Sequence, residues 1–236
     1  PLGALLAVRH ARGELTDRRY VVGLTAVLVG QFLIFMEVLM SALLCGALAL
    51  GVAIAVADPR LRGQLYRTAA GAGVALAAHE GGHLLFDAIF DADPGVKKVD
   101  FYGIPFFAIT HRPDLPRRQE FVIASAGFWV QHGTNEWLLV RRPRLRDERA
   151  SFAKGMFAFN VGASAAYSVA AFARIGPPER DTRGMAEAAR VAEPWIGALI
   201  LTPAVFDTWR YLDPDARWPV WVSRAAKIGA VLLVLR

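Results

Sequence analysis

Gly73–Phe90 reads GVALAAHEGGHLLFDAIF, an apolar run in which His79, Glu80 and His83 are embedded. On a helix, residues four apart share a face, so the two imidazoles point the same way and suit one Zn²⁺ ion. Glu80 lies one step round from His79, where a carboxylate can take a proton from a metal-activated water. This His-Glu-x-x-His spacing carries the chemistry of metal-assisted hydrolysis. Burying two His and a Glu among Gly, Ala, Val, Leu and Phe is costly unless they have partners, which favours a metal over chance.

Working outward, the 236 residues are 55% hydrophobic and only 20% charged, with a mean hydropathy of +0.34. The charges cluster between long apolar runs. The expected fold class is an all-α polytopic membrane protein of about six transmembrane helices in a lipid bilayer, forming one domain over residues 1–236. The net charge of +6 reads as basic loops anchored at lipid headgroups, so nucleic acid is not expected as a partner. Cys45 is the only cysteine, which excludes an intrachain disulfide and a Cys-based metal site.

The first nineteen residues are too rich in Arg for a signal peptide and read as an interfacial segment. Tyr20 to Ala57 is long enough for two spans with a turn near Glu37 to Ser41. Asp58 to Arg67 reads as a basic loop with a Pro stop, and the metal-motif helix is expected from about Thr68 to Asp91. Val96 to Thr110, rich in Val, Ile, Phe and Tyr and too short to span, reads as a β-hairpin beside the membrane. An edge of that hairpin is suited to holding an extended peptide by backbone pairing. Spans are then expected over 119–140, 152–173, 194–211 and 218–235, with a polar connection over 175–193. The Ala, Gly and Ser of 152–173 suit close helix packing.

With the metal helix, the hairpin and Ala126-Gly127-Phe128 in view, the chain resembles the site-2 protease family of intramembrane zinc metalloproteases over roughly residues 68–212. That family places His-Glu-x-x-His in a membrane helix, followed by a β-hairpin, a helix opening with Ala-Gly-Pro, and a later Asp ligand. Phe128 stands here where the family has Pro, and no Asp-Gly pair supplies the last motif. The resemblance implies a zinc metalloendopeptidase acting on membrane protein or peptide substrates. It also implies a substrate-holding Asn on a neighbouring helix, for which Asn160 is the nearest analogue; helix-packing glue is its other reading.

Catalytic zinc usually has three protein ligands plus water, so a third is needed beside His79 and His83. At 1.5 Å per residue the two His lie roughly 12–18 Å from the Asp91 end of their helix, and Asp207 lies at about that level, roughly 20 Å below Pro194. Asp207, with Pro203 before it and Arg210 after it, also looks like the family's motif and is the expected ligand. Asp181, Glu136 and His132 are the alternatives. Asp181 reaches the metal only if the segment around it folds back, and Asp207 has a rival role as the ion-pair partner of Arg210. A membrane scaffold, regulator or transporter with a structural or degenerate motif is the competing class, and Glu80 separates them, since a structural metal has no use for that carboxylate.

Overall fold

The structure is a computed structural model that describes residues 58–101 and 104–235, with isolated positions between 9 and 19. The span or spans expected over 20–57 lie outside the described residues. Two compact units are distinguished, Pro1–Arg62 and Gly63–Arg236, and every contact between elements discussed below lies within the second.

The second unit is mostly helical with one two-stranded sheet. The elements run α1 (Pro59–Ile89), β1 (Gly95–Phe101), β2 (Ile104–Thr110), α2 (Arg117–Arg141), a 3₁₀ turn (Leu145–Asp147), α3 (Ser151–Ala173), α4 (Asp181–Ala189), α5 (Glu193–Leu212) and α6 (Trp218–Leu235). The stretch expected as a basic loop before the metal helix is instead its first turns. Asp58 accepts a hydrogen bond from the Arg60 backbone N–H at 2.8 Å through Oδ1, and Pro59 follows it at the first helical position. Asp-Pro here starts a helix, because the missing proline N–H has no intrahelical partner to lose.

β1 and β2 pair antiparallel from Gly95 opposite Thr110 to Phe101 opposite Ile104, the hairpin expected from the residue types. The Arg112 N–H donates to the Ala92 carbonyl at 2.9 Å and the Ala92 N–H to the Asp87 carbonyl at 2.8 Å, tying both feet of the hairpin to the end of α1.

The polar connection expected over 175–193 contains α4, whose Thr182, Met185, Ala186 and Ala188 are buried. Its inward face joins Phe121 and Phe128 of α2 and Ile196 and Ile200 of α5 in one apolar cluster. Nine residues carrying Arg183 and Glu187 are too short and too charged to announce themselves as a core helix. Arg190 adopts a left-handed conformation (φ 58), and the chain then turns through 118° into α5.

Helices α1 and α3 cross at two glycines. A Cβ on Gly71 would lie 2.0 Å from the Phe152 carbonyl oxygen, and one on Gly155 would lie 2.0 Å from that of Thr68. The absence of both Cβ atoms is what lets the backbones touch. Among the described residues, α3 alone is long and apolar enough by itself to cross a membrane, and α4 with α5 passes the same test as a bent pair. The other long helices bury polar side chains, such as His79 and Asp87 of α1 and Gln131 and Asn135 of α2, which lowers their mean hydropathy.

Candidate metal centre

His79 and His83 project from the inward face of α1, where they are 2% and 5% exposed. Their Nε2 atoms are 3.2 Å apart. The orientation of His83 is set by its other nitrogen: Nδ1 lies 2.7 Å from the Ile123 carbonyl oxygen of α2. A carbonyl only accepts, so Nδ1 carries a proton, and Nε2 is the nitrogen turned toward His79 and Asp181. The His79 ring stacks on Tyr167 of α3 at 6.1 Å between centroids and meets the Phe128 edge at 5.5 Å. Its Nδ1 is buried without a hydrogen-bond partner.

The carboxylate that meets these imidazoles is Asp181, the first residue of α4. Its Oδ2 is 3.4 Å from His79 Nε2 and 3.5 Å from His83 Nε2. One ligand atom from each of His79, His83 and Asp181 lies within 4.8 Å of the others, an arrangement fit for a metal ion. Two imidazole nitrogens facing each other at 3.2 Å are held by a shared proton or by a cation between them. The donor set His, His, Asp with room for water is that of catalytic zinc sites.

The expected third ligand, Asp207, is elsewhere. It is fully buried and enclosed by its own partners: Arg210 Nη1 at 3.1 Å, Ser223 Oγ at 2.6 Å and Lys227 Nζ at 2.8 Å. Depth along a helix axis placed it near the right level; the face of α5 it occupies turns toward α6. Glu136 joins the same network, receiving Arg210 at 2.6 Å, Arg224 at 2.8 Å and Lys227 at 3.0 Å. His132 is buried with neither ring nitrogen hydrogen bonded, beside a separate hollow of about 20 Å³ that Ser125, Trp129 and Lys227 also line.

Asn160 takes the helix-packing place that is its other reading. It is 1% exposed, and its amide donates to Asn135 Oδ1 at 2.9 Å and to the Gln131 carbonyl at 3.3 Å. It ties α3 to α2 and is absent from the cavity lining.

That cavity, about 340 Å³, opens beside the centre and is lined by Glu80, His83, Tyr167 and Asp181 together with Ala108 and Ile109 of β2. Gly176, Pro177, Glu179 and Arg180 form its rim. Lys97 of β1 reaches Glu179 at 2.5 Å, bridging the hairpin to that rim, and its ammonium holds the Glu179 carboxyl below the usual carboxylate range.

Tyr167, which lines the cavity, and Asp87, which lies beside it, are not among the candidates from the sequence. Tyr167 faces both Asp181 and Glu80, yet as one aromatic in an Ala-rich span it carries no local signal. Asp87 continues the row of His79 and His83 one turn further, which the spacing of four does show. It is completely buried, its oxygens lack hydrogen-bond partners, and Oδ1 lies 3.8 Å from Nδ1 of the cavity residue His111.

Comparison of the chain with family models, curated proteins and solved structures finds no match.

Proposed function

We propose that the chain is an integral membrane zinc metalloprotease of the site-2 type, hydrolysing peptide bonds of transmembrane or membrane-proximal substrates. The observation that carries this reading is the convergence of His79, His83 and Asp181 within 4.8 Å beside a cavity that Glu80 shares. Zinc bound there would supply Lewis acidity, activating a water and polarising the scissile carbonyl. Glu80 takes the water's proton and returns it to the leaving amine nitrogen. Without a substrate in place, a carboxylate next to a histidine pair has no structural task that explains its position on the cavity wall.

The hairpin supports a polypeptide as substrate. β2 is paired on one side by β1, and its Ala108 and Ile109 line the cavity. An unwound segment laid along this strand would satisfy its backbone groups by strand addition and present an unshielded carbonyl, which a helix does not. The membrane setting is supported by inverted polarity. Gln131, Asn135, Asn160 and Ser164 are inside, while Leu85, Ile89, Val169, Trp195 and Trp221 are exposed, the last two by 71% and 70%. An outer surface of this kind favours lipid over water, with Trp at its margins.

The test is zinc content and cleavage of a fluorogenic transmembrane peptide by the detergent-purified chain, wild type beside Glu80→Gln. Stoichiometric zinc in both, with turnover in wild type and a loss of at least about 10²-fold in the variant, is expected. Wild type without zinc, or equal turnover in the two, overturns the proposal.

A further inference from the structure

Asp181 is separated from His79 by 102 positions in sequence and enters the centre on a short helix of its own. Nothing local to α1 holds it there. Its two neighbours in the chain are both anchored to one carboxylate. Arg180 donates from Nε to Glu193 Oε1 at 2.7 Å and from Nη2 to Oε2 at 2.6 Å, while Thr182 Oγ1 donates to Oε1 at 2.8 Å. The remaining guanidinium nitrogen, Nη1, donates to the Gly176 and Pro177 carbonyls at 3.3 and 3.1 Å. The clamp is largely withdrawn from solvent, with Arg180 and Glu193 side chains 10% and 11% exposed and Thr182 fully buried.

We infer that Glu193 is the positioning residue of the metal centre, holding Asp181 against the two histidines by gripping Arg180 on one side of it and Thr182 on the other. The inference rests on the metal-binding reading above. Glu193 is well placed as the fixed point. It opens α5, where a carboxylate is favoured by the helix N-terminus, and Ile196 and Ile200 seat the following turn in the core. A bidentate Arg–carboxylate pair restricts both distance and rotation, which a single hydrogen bond does not. Arg180 also bonds the turn that leads in from α3, so that turn and Asp181's neighbours are tied to the start of α5. Outer-sphere partners of this kind typically contribute about 10–100-fold to metal affinity.

The experiment is a zinc titration of the detergent-solubilised full chain against a chromophoric chelator, with thermal melts of the metal-free protein alongside. Glu193→Gln is expected to weaken zinc binding by about 10–100-fold, and Glu193→Asp to recover part of the loss. Glu136→Gln, which also breaks a partly buried ion pair but one away from the metal ligands, is expected to leave affinity within about threefold while lowering the melting temperature. Thr182→Val removes one arm of the clamp and is expected to weaken zinc by about threefold or more; this milder variant decides the matter where Glu193→Gln does not fold. Wild-type affinity in Glu193→Gln or in Thr182→Val, or an equal loss in Glu136→Gln, overturns the clamp. Wild type without zinc overturns the metal reading and the clamp together, whereas zinc bound without peptide cleavage overturns the protease reading alone.

Discussion

Gly127 of α2 lies directly against the imidazole of His79: a Cβ placed on it would sit 2.3 Å from Cε1, 2.4 Å from Nδ1 and 2.5 Å from Nε2. The glycine of the Ala-Gly-Phe stretch is therefore the space in which the first imidazole of the candidate metal centre rests.

Gly127→Ala forces the His79 ring to move, since α2 cannot retreat without breaking the Ile123 contact that orients His83. Zinc affinity is expected to fall by at least about tenfold, as for other losses of ligand orientation. Gly133→Ala on the same helix, where a Cβ meets nothing within 4 Å, is expected to gain up to about 1 kcal/mol in stability and keep zinc. Chelator titration and melts of the two variants check this, and equal zinc affinity in both contradicts it.

The two aspartates separate by readout. Asp181→Asn is expected to lose zinc with little change in metal-free stability. Asp207→Asn is expected to keep zinc and lose about 3–5 kcal/mol, because Arg210 and Lys227 are left as underpaired charges at a site where the carboxylate is fully buried. Metal analysis and denaturation of both proteins decide between the ligand assignments.

Asn160→Ala removes the amide that spans α2 and α3. A loss of about 1–3 kcal/mol is expected from the unsatisfied Asn135 and Gln131 groups, with KM for a transmembrane peptide unchanged. A raised KM at wild-type stability restores Asn160 to the substrate site.

The α1–α3 crossing makes a position-specific prediction. Gly71→Ala inserts a methyl into the Phe152 carbonyl and is expected to cost about 1–3 kcal/mol as overpacking. Gly73→Ala, two residues along the same helix with nothing within 4 Å, is expected to be neutral or stabilising. Similar melting temperatures for the two variants count against the backbone contact.

Local spacing carries information over a few residues, enough here for one helix face and one hairpin. His79 and His83 share a face because a helix repeats every 3.6 residues, and the β-branched and aromatic run at 96–110 forms strands. Element boundaries depend on context that local spacing does not carry. Asp58-Pro59 reads equally as a stop and a start, and α4 looks like a loop because its apolar face covers only one turn or two.

The sequence alone determined that two imidazoles and a carboxylate stand together on one helix, because their spacing is covalent and the helix is local. Which distant carboxylate completes the set was decided only by tertiary structure. Asp207 and Asp181 both follow the motif by more than ninety residues, and axial depth leaves the facing direction of each undefined. Arg180 and Thr182, the chain neighbours of Asp181, are bonded to Glu193 at the start of α5, while Arg210, Ser223 and Lys227 hold Asp207 in a pairing of its own.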